Sequence, residues 1–100
     1  MGRQTTKIDD KYYVDDKKVM QSEKGCTGDA IEMLAKFENY YEDLVLKQDE
    51  IIRKMDELKA EDKTHTVKFK QLLANKLNNS NNLLILKQFG IQYEVEDDKK

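Results

Sequence analysis

Side chains from position 34 to position 58 follow one another at alternating steps of three and four residues. Seven of the eight are apolar, and the spacing places them along one narrow stripe of an α-helix. These positions, called the seam below, are Leu34, Phe37, Tyr41, Leu44, Gln48, Ile51, Met55 and Leu58. No Pro or mid-segment Gly interrupts the pattern, so we predict one long amphipathic helix over 28–60.

The N-terminal segment carries a different pattern. Residues 5–8 and 12–14 are rich in Thr, Tyr and β-branched residues and are separated by a charged turn. We predict a β-hairpin over 3–20, with a three-stranded meander as the alternative. Residues 21–28 read as a connector, and Thr27 is a candidate N-cap for the long helix.

Two shorter helices are expected after the long one, over 65–78 and 81–89. Asn residues and one Ser fill positions 78–82, and such side chains compete for backbone hydrogen bonds, so we predict a turn there. Thr64 or Thr66 could cap the first of these helices. The apolar residues assigned to its packed face are Val67, Phe69, Leu72, Leu73 and Leu77.

The last helix ends at a well-specified stop. Gly90 stands where a left-handed C′ residue belongs, with Ile91 at C″ and Leu86 at C3 of a Schellman ending. The charged residues 92–100 should form a mobile tail. The predicted fold is therefore mainly α, with a short N-terminal β-hairpin, one long helix and a C-terminal pair of shorter helices in a single domain over 1–91.

Composition limits the function. The 100 residues are 38% apolar and 38% charged, and 18 basic residues nearly balance 20 acidic ones, for a net charge of −2. There is no overall basic excess of the kind that attracts nucleic acid and no apolar run that would span a membrane. A single cysteine, Cys26, fits a reducing cytoplasm. With one histidine, His65, and no other ligand set, we expect no metal, no cofactor and no enzyme activity.

The seam has two interpretations. In one, it forms a homodimer in which the polar Gln48 sets the register. In the other, the two C-terminal helices pack on it within the same chain. Val45 and Ile52 make the stripe wider than a strict coiled coil requires. We expect a mixed arrangement, in which the long helix packs on its own helices and also on a second subunit.

Acidic residues recur in pairs every seven positions beside the seam. We interpret them as a candidate surface for a basic protein partner, because complementary charge speeds encounter. The alternative is that they form the solvated side of an amphipathic helix. These candidate partner-binding residues are Glu42, Asp43, Asp49, Glu50, Asp56 and Glu57.

A second functional reading concerns the C-terminal helices. Two short helices joined by a turn resemble a DNA-reading helix–turn–helix, and this segment has a local excess of lysine. The would-be recognition helix, however, lacks the Arg, Asn and Ser side chains that read base edges. The lysines are Lys63, Lys68, Lys70, Lys76 and Lys87. A DNA-binding regulator is therefore the alternative function, ranked below protein binding.

The segment 28–38 opens with Gly28-Asp29-Ala30-Ile31-Glu32 and continues Met-Leu-Ala-Lys-Phe-Glu. This Gly-x-Ala-Ile-x-x-Leu-Ala-x-aromatic-Glu pattern resembles small uncharacterised proteins encoded by phages and prophages of Gram-positive bacteria. The resemblance covers roughly residues 1–60, and the usual break after the aromatic-Glu pair is missing here. It implies a cytoplasmic accessory protein that binds and inhibits a host protein, with an anti-CRISPR or other anti-defence role among the candidates.

Overall fold

A computed structural model describes residues 2–95 of the chain. The elements in chain order are β1 (Thr5–Ile8), β2 (Lys11–Val14), a 3-10 turn (Asp16–Lys18), β3 (Met20–Ser22), β4 (Gly25–Thr27), α1 (Asp29–Ala60) and α2 (Val67–Gln88). The chain forms two compact units, Met1–Tyr40 and Tyr41–Lys100, whose boundary falls within α1. The mainly helical class and the N-terminal β structure are confirmed, whereas the number of hairpins and helices differs from the prediction.

The predicted hairpin is present as β1 and β2, which pair antiparallel from Thr5 opposite Val14 to Ile8 opposite Lys11. The two loop residues, Asp9 and Asp10, both have positive φ, at 50° and 67°. Two consecutive left-handed residues are the requirement of a type I′ turn, whose twist matches that of the strands. Asp tolerates this conformation better than most side chains, which explains the charged pair at this point of the sequence.

A second hairpin occupies most of the segment that we predicted as a connector. β3 and β4 pair antiparallel, from Met20 opposite Thr27 to Ser22 opposite Gly25. The Ser22 hydroxyl donates to the Gly25 carbonyl at 2.9 Å, and Gly25 has a φ of +123°. The prediction was wrong because each strand is only three residues long, too short for an alternating pattern to be recognised.

The long helix begins at Asp29, close to the predicted start at 28. Gly28 rather than Thr27 precedes it, and its carbonyl accepts from the Glu32 amide at 2.9 Å. Thr27 is instead the last residue of β4. At Gly28 the φ is +122°, and a Cβ there would lie 2.5 Å from the Lys18 carbonyl oxygen. Glycine is therefore required here both for its conformation and for the close backbone approach.

The end of α1 is a Schellman motif that we did not predict. The Lys63 amide donates to the Leu58 carbonyl at 2.8 Å, and the Asp62 amide donates to the Lys59 carbonyl at 3.1 Å. Asp62 occupies the left-handed C′ position with a φ of +58°. An Asp in place of the usual Gly made this stop hard to recognise in the sequence.

The largest correction concerns the second half of the chain. Val67–Gln88 forms one continuous helix, so the predicted helices 65–78 and 81–89 and the turn at 78–82 are wrong. Asn79 is buried and Asn82 is half-buried, so side chains read as turn formers lie instead within the helix. Tertiary packing overrides the weak intrinsic preference of Asn against helix.

The N-cap of α2 is one of the two predicted candidates, and its C-terminal ending is the one predicted for the last helix. Thr66 is its N-cap, and the Thr66 hydroxyl accepts from the Phe69 amide at 3.2 Å. At the C-terminus the Ile91 amide donates to the Leu86 carbonyl and the Gly90 amide donates to the Lys87 carbonyl, both at 2.9 Å. Gly90 has a φ of +80°, which completes the predicted Schellman ending.

Within the unit Tyr41–Lys100, α1 and α2 form an antiparallel helical hairpin. Position 48 of α1 contacts positions 76 and 80 of α2, and position 41 contacts position 93. Among residues 2–95, the fully buried apolar side chains are all on α1: Tyr41, Leu44, Ile51, Met55 and Leu58. This small core is the scaffold on which the candidate surfaces lie. The folding of residues 1–91 as a single domain stays a prediction.

Candidate functional site

The C-terminal part of the seam is covered by α2 of the same chain. Five seam residues between 41 and 58 are buried, and Gln48 is half-buried. The two seam residues in the other unit differ, since Phe37 is half-buried and Leu34 remains 53% exposed. From Tyr41 to Leu58 the arrangement is therefore the intramolecular alternative, and a second chain would have to use another surface of this hairpin.

The matching stripe on α2 has the same spacing as the seam. Its positions follow in steps of three, four, three, four and three, and all are half-buried or buried: Phe69, Leu72, Lys76, Asn79, Leu83 and Leu86. The apolar members of this stripe were visible in the sequence, but as parts of two separate predicted helices. The continuous stripe was missed because a lysine and an asparagine stand in the middle of it and suggested a break rather than a continued heptad.

Near the middle of the helical hairpin, polar side chains form hydrogen bonds between α1 and α2. The Gln48 side-chain amide donates to the Lys76 carbonyl at 3.1 Å and to the Ser80 hydroxyl at 2.6 Å. The Gln48 Oε1 and the Asn79 Nδ2 are buried and have no hydrogen-bond partner among the described residues. A buried polar position penalises misaligned pairing, so Gln48 sets the register of α1 on α2. We predicted this role for Gln48 in a homodimer, not within one chain.

Residues after α2 fold back onto α1. The Tyr93 ring lies 4.7 Å from the Tyr41 ring, centroid to centroid, at an interplanar angle of 34°. The Tyr41 hydroxyl donates to the Tyr93 carbonyl at 3.3 Å, and the Tyr93 hydroxyl donates to the Glu42 carboxylate at 2.8 Å. Within the predicted mobile tail over 92–100, Tyr93 thus contacts α1, and 96–100 lie outside the described residues.

Five of the six candidate acidic residues are exposed and Glu42 is half-buried, and the six differ in their partners. Asp43 pairs with Lys47 at 3.8 Å and Glu50 with Lys54 at 2.9 Å, as i, i+4 pairs predict. Glu42 accepts from Tyr93.

The other three acidic residues are Asp49, Asp56 and Glu57, and all are exposed. None of them forms an ion pair with another residue in 2–95, although Arg53 stands four positions after Asp49. We call these three residues the acidic face. Their carboxylates are the part of the predicted stripe that forms no ion pair within residues 2–95.

The two sides of the helical hairpin differ in polarity. A groove on one side is lined mostly by polar side chains, with Ile51 and Leu72 also lining it: Lys47, Glu50, Lys54, Asn75 and Asn79. The groove on the other side brings Val45 of α1 next to Ser80 and Leu84 of α2.

Helical spacing extends this second side to Ile52 on α1 and to Leu73 and Leu77 on α2. We call these five residues the apolar face: Val45, Ile52, Leu73, Leu77 and Leu84. Val45 and Ile52 stood out in the sequence as extra width of the seam. Leu73 and Leu77 were assigned to the packed side of a helix, but they are 38% and 61% exposed.

Other candidate chemistry is sparse in the part of the chain that the structure describes. Cys26 is exposed on β4, and His65 lies in the link between α1 and α2. Within 2–95, no group of three or more His, Cys, Asp and Glu side chains could hold a metal ion. No helix in the same range is long and apolar enough to cross a membrane.

Fold and surfaces together define a small protein with two N-terminal β-hairpins and a C-terminal helical hairpin. Comparisons with protein-family models, curated proteins and solved structures give no match for this chain.

Proposed function

We propose that this chain is a non-enzymatic interaction factor that binds a protein partner through the acidic face of α1. The observation that carries the proposal is the exposure and ion pairing of three carboxylates, those of Asp49, Asp56 and Glu57. They are exposed and form no ion pair with the residues that the structure describes, whereas Asp43 and Glu50 on the same helix pair with lysines. A helix held by a packed hairpin presents such charges in a fixed arrangement.

The spacing of the acidic face favours an extended basic surface as its target. Asp49 and Asp56 are seven residues apart, which is about 10.5 Å of helix rise. A row of carboxylates at this interval suits a row of lysines or arginines, such as the groove of a nucleic-acid-binding enzyme. The resemblance to phage proteins adds the expectation that this enzyme belongs to a bacterial host and that binding inhibits it, with defence systems including CRISPR among the targets.

The test compares two variants of equal charge change. Asp49→Asn/Asp56→Asn/Glu57→Gln removes the acidic face. Asp9→Asn/Asp10→Asn/Glu23→Gln removes three exposed acids from the β-hairpin turns, and Asn keeps the left-handed conformation at positions 9 and 10. Each tagged protein is used to capture partners from a Gram-positive host extract, and captured proteins are quantified by mass spectrometry.

We expect a partner that the wild type and the turn variant recover and the acidic-face variant loses. With that partner purified, the acidic-face variant should bind roughly tenfold more weakly, because exposed charge pairs contribute about 0.2–1 kcal/mol each. Wild-type affinity should also fall as salt screens the charges. A partner recovered equally by all three proteins, or binding that is independent of salt, would contradict the proposal.

The alternative function is a DNA-binding regulator. It rested on a predicted pair of short helices, but 67–88 is one helix. The lysines of α2 remain, and phosphate contacts are strongest at low salt. We therefore expect no retention on DNA-cellulose at about 50 mM salt. Retention that Lys68→Gln/Lys70→Gln abolishes would favour the alternative.

A further inference from the structure

We infer that the apolar face of the helical hairpin binds a second copy of this chain, and that the two hairpins form an antiparallel four-helix bundle. Ile52 is 38% exposed, Leu77 61% and Leu84 53%. Val45 and Leu84 line the same groove, and helical spacing places Ile52, Leu73 and Leu77 on the same side of the hairpin. The apolar face shares no residue with the acidic face, although Asp56 of the acidic face lies at its rim in the arrangement derived below.

The size of the patch fits a reversible dimer. Its exposed apolar area is on the order of 400 Å² per chain, within the range found for functional patches on monomers. Homodimer interfaces are about 65% apolar, so this area implies about 600 Å² buried per chain and about 1,200 Å² in total. That value lies at the lower end of stable specific interfaces.

The different net charges of α1 and α2 favour one arrangement of the two copies. α2 contains four lysines and no acidic residue. The part of α1 in the same unit, 41–60, contains six acidic and four basic residues. A two-fold axis parallel to the helices places α1 of each copy over α2 of the other and brings opposite charges together. An axis across the helices would stack α1 on α1 and α2 on α2, which like charge opposes.

This arrangement predicts a particular contact. Because position 48 lies level with 76–80 in the antiparallel hairpin, position 56 lies level with about 70. An axis parallel to the helices preserves these levels. Asp56 of one copy therefore stands near Lys70 of the other at the rim of the apolar face, and the symmetry repeats the pair on the opposite rim.

Sedimentation equilibrium of the full chain tests the inference with a matched pair of variants. Leu84→Asp changes the apolar face, whereas Ile85→Asp changes the next residue, which is 44% exposed but lies outside the face. We expect wild type and Ile85→Asp to dimerise with similar dissociation constants. Leu84→Asp should raise the constant at least about 30-fold, because symmetry places each substitution in the interface twice. Circular dichroism checks that all three proteins are folded.

A charge exchange tests the arrangement of the copies. Lys70→Asp should weaken the dimer several-fold, and Lys70→Asp/Asp56→Lys should restore it. A wild type that stays monomeric at about 200 µM, or equal weakening by Leu84→Asp and Ile85→Asp, would overturn the inference. An exchange variant no tighter than Lys70→Asp alone would overturn the parallel-axis arrangement. Self-association needs no host protein, so its failure is distinguishable from failure of the proposed function.

Discussion

Replacing Asn79 with Leu should stabilise this protein. Asn79 is 9% exposed and occupies a central position of the α2 stripe that packs on the seam. Its Nδ2 is buried without a hydrogen-bond partner in the described part of the chain. An unsatisfied buried donor costs about 1–3 kcal/mol, and a buried Leu contributes about 1.5–3 kcal/mol relative to an exposed one.

The gain will be smaller than the sum of these two terms. Leu has a different shape from Asn, and fitting it into a packed seam costs about 1 kcal/mol or more. The unpaired Gln48 Oε1 also stays in place. We therefore expect Asn79→Leu to raise the free energy of unfolding by about 1–2 kcal/mol, which corresponds to a Tm increase of roughly 5–15 °C for a chain of this size.

Urea and thermal unfolding followed by circular dichroism at 222 nm measure this change. Asn78→Leu is the matched control, since Asn78 is the adjacent residue and is exposed on α2. The control should alter the free energy of unfolding by no more than about 0.5 kcal/mol. If Asn79→Leu destabilises the protein, or stabilises it no more than Asn78→Leu does, then position 79 does not face α1 and the assignment of the α2 stripe is refuted.

Three further substitutions test the local structure by the same unfolding assay. Gly28→Ala should lower the free energy of unfolding of the unit Met1–Tyr40 by more than about 2 kcal/mol, because the new Cβ would meet the Lys18 carbonyl and the φ is positive. Normal stability and an unchanged amide spectrum for β3 and β4 would contradict this. Asp62→Gly should stabilise by about 0.5–1 kcal/mol by relieving a left-handed Asp at the end of α1, and a loss of stability would argue against the Schellman motif. Thr66→Ala should cost about 1 kcal/mol as a lost N-cap, whereas Thr64→Ala should be nearly neutral, and the reverse order would place the start of α2 elsewhere.

Strong, continuous patterns in the sequence predicted the corresponding elements correctly. The seam predicted the start of α1 to within one residue and its end correctly, because the 32 residues of α1 contain no helix breaker. Gly90 gave the end of α2, since a left-handed residue followed by an apolar one is a specific arrangement. The start of α2 was predicted less exactly, since Thr64 and Thr66 were both candidate N-caps and the structure selects Thr66.

The errors arose where local preference and tertiary packing disagree. Five consecutive polar residues, Asn78-Asn79-Ser80-Asn81-Asn82, favour a turn in isolation. In the folded chain, Ser80 accepts a hydrogen bond from Gln48 and Asn79 is buried, so the segment is held as helix by its partner. This error affected the functional interpretation, because the predicted turn implied a helix–turn–helix, whereas residues 67–88 form one helix.

The candidate surfaces were only partly predictable. The acidic stripe was visible as a seven-residue repeat, but which carboxylates are neutralised depends on side-chain geometry that spacing alone does not give. The apolar face requires two helices to be placed side by side. Leu77 and Leu84 become members of it only when α2 is continuous and its packed side is known.

The central claim is that α2 of the same chain occupies the seam from Tyr41 to Leu58. Isotope-filtered nuclear Overhauser spectroscopy on an equal mixture of labelled and unlabelled protein tests it most directly. We predict that contacts between the Tyr41 and Tyr93 rings, and between Gln48 and Ser80, are seen within a labelled chain and are absent from the spectrum that selects contacts between chains. Observation of these contacts only between chains would contradict the account, because it would mean that a second molecule fills the seam.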